Sequence, residues 1–60
     1  MHSLEAIRRK AQADADREGR AVVILNLNRF SPLYVVREDW PGADADRAFV
    51  ERVEPQATEA

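Results

Sequence analysis

The residues best suited to chemistry in this chain are carboxylates. Glu38 and Asp39 are adjacent, Asp44 and Asp46 alternate, and Glu51 and Glu54 lie three apart. Paired carboxylates can exchange protons in acid–base catalysis or ligate hard cations. Neither use is completed by its neighbours. Asp44-Ala45-Asp46-Arg47 lacks the central glycine and distal glutamate of a calcium loop, and the two glycines, Gly19 and Gly42, make no phosphate-cradling run. With no cysteine there is no disulfide, thiol nucleophile or thiolate metal site. His2 is the sole histidine, at a position where chain ends rarely hold the geometry that catalysis needs. The expectation is a non-enzymatic protein without cofactor or metal. An enzyme would need a pocket built by two chains, lined by Arg29, Tyr34 or the Glu38-Asp39 pair.

Two further groups bear on binding. Arg8-Arg9-Lys10 is the only basic cluster, with Arg17 and Arg20 beyond it, and could meet phosphates. Consecutive residues fan around a helix, however, and a sequence pI of 5.2 is far from the basic balance of a dedicated nucleic-acid binder. A small nucleic-acid-associated protein is therefore the alternative reading. The second group is the stretch from Asn26 to Tyr34. Asn26 and Asn28 offer donors and acceptors, Arg29 a planar fork, and Phe30 and Tyr34 stacking surfaces. Asn and Ser-Pro are also ordinary turn residues, and Phe30 could fold back onto the core.

The elements that must position these groups follow from patterning. Ser3 is a natural N-cap, residues 4–18 are mostly good helix formers, and Gly19 supplies a left-handed stop. Leu4, Ile7, Ala11 and Ala15 form one narrow apolar stripe, so this helix must lie on a sheet. Glu5–Arg9 and Asp16–Arg20 have the spacing of helical charge pairs. The apolar runs 21–28 and 33–38 read as an antiparallel hairpin closed by the four residues Arg29-Phe30-Ser31-Pro32. With Asn28 opposite Leu33, Val23, Leu25, Leu27, Tyr34 and Val36 would share one face. Val22, Ile24, Leu33 and Val35 would share the other with Asn26, Asn28 and Arg37.

Both hairpin faces are thus apolar, whereas a half-exposed strand should alternate. One helix can cover one of them. The second would be covered by the C-terminal segment or by another subunit, and the subunit is favoured, because small domains commonly need an added stabiliser. Trp40-Pro41-Gly42 ends the second strand in a turn, and Trp40 could close the sheet or anchor a partner. Residues 48–54 read as a third strand in a meander, with a helix as the alternative. The fold class is therefore α+β, with an N-terminal helix on a small antiparallel sheet in the order α-β-β-β (alternatively α-β-β-α). A single domain over residues 1–54 precedes a disordered tail from Pro55 to Ala60.

Composition agrees with association. Of the 60 residues, 45% are hydrophobic, but ten of these are alanine, leaving fourteen large aliphatic or Phe side chains, eight of them in the two hairpin runs, plus Met1, Tyr34 and Trp40. The net charge of -2 joins a +2 half (1–30) to a -4 half (31–60). Ala-Asp-Ala-Asp-Arg at 13–17 and 43–47 lies in different hydrophobic frames and reflects composition, not duplication. No apolar run is long enough to span a bilayer and the first residues do not resemble a signal peptide, so no membrane contact and a cytoplasmic location are expected. The functional reading is a protein-interaction module that self-associates through its hairpin as a homodimer, with a heterologous protein partner also possible. Its candidate contact residues are Val22, Ile24, Asn26, Asn28, Arg29, Phe30, Leu33, Val35 and Trp40.

Overall fold

The helix begins where the sequence places it. In the computed structural model, which describes residues 3–56, α1 spans Leu4–Glu18, and the Ser3 hydroxyl accepts from the Ala6 amide at 3.1 Å. Gly19 ends it with φ 71°, a left-handed conformation that glycine adopts without steric cost, and its amide donates to the Ala15 carbonyl. Three strands follow: β1 (Val22–Asn26), β2 (Tyr34–Glu38) and β3 (Phe49–Val53). Residues 48–54 thus hold a strand, and α-β-β-β is the observed order.

The sheet order is β2-β1-β3, antiparallel throughout, not the sequential order of a meander. β1 is central. Its unalternated Val22-Val23-Ile24-Leu25 is the run a strand needs when both of its faces are buried, and all four residues are. Because β2 and β3 both run antiparallel to β1, they are parallel to each other, and the segment joining them must cross over the sheet.

That crossing decides where the core sits. Ile7, Ala11 and Ala15 of α1 pack with Val22, Ile24 and Val53, flanked by Leu4, Tyr34, Val36 and Val50. On the opposite face Val23 and Leu25 pack with Ala43, flanked by Val35, Trp40, Ala48 and Phe49. Trp40, Ala43 and Ala48 belong to the β2–β3 connection, which contains one 3-10 turn, Ala43–Ala45. The face that the helix leaves open is therefore covered by the chain's own residues beyond the hairpin, in the crossover, which is the alternative given above to a partner subunit.

The hairpin register also differs from the expected one. Asn26 pairs with Tyr34 and Leu25 with Val35, so Val22, Ile24, Tyr34 and Val36 lie toward the helix and Val23, Leu25 and Val35 lie away from it. A slip of one residue exchanges the faces of a whole strand. Its cause is the connection, which is longer than four residues: it runs from 27 to 33 and is closed by the Leu27 amide on the Leu33 carbonyl at 2.9 Å.

The C-terminal stretch is pinned as far as it is described. The Gln56 amide donates to Asp16 Oδ1 at 2.8 Å, and Gln12 Nε2 donates to the Glu54 carbonyl at 2.9 Å. Of the tail expected from Pro55 onward, Gln56 is hydrogen-bonded to the helix; 57–60, like His2, lie outside the described residues. Asp16 is consequently engaged by Gln12 and Gln56, while Arg20 reaches Glu38 at 3.4 Å instead of the expected Asp16.

Candidate functional site

The nine candidate contact residues separate into buried and exposed sets. Val22 and Ile24 are enclosed beneath α1, at 4% and 0% exposure, and present no surface. Val35 and Trp40 are half-buried on the opposite face, where Trp40 packs with the core of that side and its carbonyl accepts from the Ala43 amide. These four hold the fold together. The remaining five belong to the hairpin end.

At that end the asparagines build the turn. Asn26 Oδ1 accepts from the Asn28 amide at 3.2 Å and from the Leu33 amide at 3.0 Å. Asn28 Oδ1 accepts from the Phe30 and Ser31 amides at 2.9 and 3.3 Å. Short amide side chains that mimic a backbone acceptor stabilise turns in this way. Held by that scaffold, Phe30 is 91% exposed, and Leu27 and Leu33 are 53% and 51% exposed. Phe30 does not fold back. Large apolar groups exposed together mark contact surfaces more often than groups exposed singly.

Beside them, Leu27 and Arg29 form one wall of a groove of about 360 Å³ whose other wall is residues 47–50. Composition gave no sign of this juxtaposition, because it depends on β3 lying beside β1. A second groove, of about 490 Å³, lies between α1 (Ala6, Ile7, Lys10) and the outer strand β2 from Tyr34 to Arg37.

The β2 edge is unpartnered along that groove. Val35 and Arg37 exchange ladder hydrogen bonds with β1, in phase with the Leu27 amide donating to the Leu33 carbonyl further along, so the amides and carbonyls of Tyr34, Val36 and Glu38 point outward. The Arg37 guanidinium donates to the Val36 carbonyl at 3.2 Å and lies over that edge. On the other outer strand the charged residues are engaged, Glu51 by Arg8 at 2.7 Å and Arg52 by Asp39 at 3.0 Å.

The basic cluster does not form a free anion-binding face. Arg8 holds Glu51, Arg9 lies 3.6 Å from Glu5, and Lys10 lies 3.1 Å from Asp14. The paired carboxylates are dispersed as well: Asp39 faces Arg52 and Glu38 faces Arg20. Among the described residues no group of three or more His, Cys, Asp or Glu is placed to hold a metal ion, and no helix is long and apolar enough to cross a membrane. No family model, curated protein or solved structure matches this chain significantly.

Proposed function

We propose that this protein is a non-enzymatic, cytoplasmic interaction module that pairs with a second copy of itself through the open edge of β2. The observation that carries this reading is the outward row of amides and carbonyls at Tyr34, Val36 and Glu38. An exposed edge of this kind is a template for strand addition. Antiparallel pairing about Val36 sets Tyr34 of one copy opposite Glu38 of the other and Val36 opposite Val36. Each such pair exchanges both backbone hydrogen bonds. The row is self-complementary, as a two-fold interface requires.

The other edge is less suited. Pairing β3 with itself about Glu51 would set two carboxylates directly opposite, which is unfavourable, and charged side chains are a common way to blunt an edge. On β2 the run Tyr34-Val35-Val36 is apolar, and only the Arg37 side chain must swing aside. A single five-residue strand pair is small for a protein interface, so association on the order of micromolar is expected.

Size-exclusion chromatography with light scattering tests the reading. The wild-type chain is expected to run as a dimer that dissociates on dilution. Glu38→Pro removes an outward amide while leaving the β1 ladder intact, since proline is tolerated on an outer strand. That variant is expected to be a folded monomer by circular dichroism. A wild-type chain that stays monomeric across this concentration range overturns the proposal.

A further inference from the structure

Charge pairing isolates one surface. The chain has nine basic residues, and six of them contact carboxylates: Arg8, Arg9, Lys10, Arg17, Arg20 and Arg52. The other three, Arg29, Arg37 and Arg47, have no ion-pair partner among the described residues. Arg37 is occupied by the Val36 carbonyl. Arg29 and Arg47 stand on opposite walls of the groove at the hairpin end, and no carboxylate lines it. Between them the lining is Leu27, Ala48, Phe49 and Val50 together with Asn26, with the exposed Phe30 nearby on the loop.

We propose that this groove binds an acidic peptide segment carrying an aliphatic side chain. Carboxylates of the segment engage the Arg29 and Arg47 guanidinium groups, whose planar donor forks suit bidentate contact. The aliphatic side chain lies between Leu27 and Phe49, where its burial adds area to the charge contacts. Two cations without internal partners, with the apolar side chains of Leu27, Phe49 and Val50 beside them, specify both features of the occupant. A nucleic-acid strand also offers negative charge, but it brings no aliphatic side chain to lie against Leu27, Phe49 and Val50. The site is on a different surface from the β2 edge and stands independently of the dimer.

The test is an amide chemical-shift titration of the full chain with the peptide Glu-Glu-Leu-Asp-Glu-Leu. Controls are the same peptide with lysine at the acidic positions and a single-stranded oligothymidylate. Saturable shifts confined to residues 26–30 and 47–50, weakening with added salt and absent with the lysine peptide, support the proposal. Arg29→Glu with Arg47→Glu should weaken binding about tenfold or more, and lysine at both positions should restore part of it. Both side chains are exposed, so the variant is expected to retain the wild-type circular dichroism. The Glu38→Pro chain should bind the peptide as the wild type does. Shifts absent or scattered over other residues, equal binding of the lysine peptide, or tighter binding of oligothymidylate overturn the proposal; the last points to a nucleic-acid site instead.

Discussion

Arg52 Nε donates to Asp39 Oδ2 at 3.0 Å, and this pair ties the first residue after β2 to the fourth residue of β3. It therefore clamps the two ends of the crossover that covers the second face of the sheet. The Arg52 guanidinium also lies 5.7 Å from the centre of the Phe49 ring, on the same face. The other carboxylate oxygen, Asp39 Oδ1, is buried without a hydrogen-bond partner. Such an atom carries a desolvation cost that the Arg52 contact offsets.

Asp39→Ala should loosen the crossover. Both side chains are about one-third exposed, so solvent screens the pair and a loss of about 1 kcal/mol is expected. Urea denaturation measures it, and Trp40 fluorescence should shift to the red as its packing relaxes. In a double-mutant cycle Asp39→Ala and Arg52→Ala should be non-additive; strict additivity would refute the clamp.

The two faces of β1 can be compared directly. Ile24 on the helix side and Val23 on the crossover side are both 0% exposed. Ile24→Val should cost about 1 kcal/mol, and Ile24→Ala about 3 kcal/mol, enough to unfold much of a chain this small. Val23→Ala should cost about 2 kcal/mol in thermal or urea unfolding, from lost burial plus the cavity left behind. A negligible cost at Val23 would mean that the crossover does not seal its face.

Asn26 is a structural residue in this fold. Asn26→Ala removes the acceptor for two amides of the connection and should cost about 1–2 kcal/mol. Asp at this position keeps the acceptor and should recover most of that. Hydrogen exchange read at Leu33 reports the effect locally, and unchanged protection there in Asn26→Ala would sink the assignment.

Gly19 has open space around an added Cβ but a φ of 71°, so a substitution there is opposed by backbone conformation alone. Gly19→Ala should destabilise by about 1 kcal/mol, and Gly19→Asn by less, because asparagine tolerates the left-handed region. Urea midpoints of the three chains should fall in the order glycine, asparagine, alanine.

What could be read from sequence is what local interactions settle. The Ser3 cap, the Gly19 stop and the Ile7-Ala11-Ala15 stripe each depend on residues within a few positions, and all are found as expected. The strand character of residues 49–53 was likewise local. The hairpin register was not, because the side chains of Asn26 and Asn28 lengthen the connection through hydrogen bonds that composition alone does not specify. Val22 and Ile24 entered the candidate contact list for another reason: they were assigned to the face that the helix leaves open, whereas α1 packs on that face of β1. Phe30 and Leu33, from the same list, are exposed, and their exposure follows from the longer loop.

By itself the sequence determined an N-terminal helix, a hairpin with a run apolar on both faces, and a preference for a third strand over a second helix at residues 48–54. It could not determine what covers the second face, because burial is satisfied equally by a partner subunit or by a distant segment of the same chain. Tertiary structure decided this by inserting β1 between β2 and β3. Strands parallel to each other in one sheet cannot be joined without a crossing connection, and that connection brings Trp40, Ala43 and Ala48 onto the exposed side. The same placement set Arg47 across from Arg29, a relation between residues far apart in sequence that arises only once the sheet order is fixed.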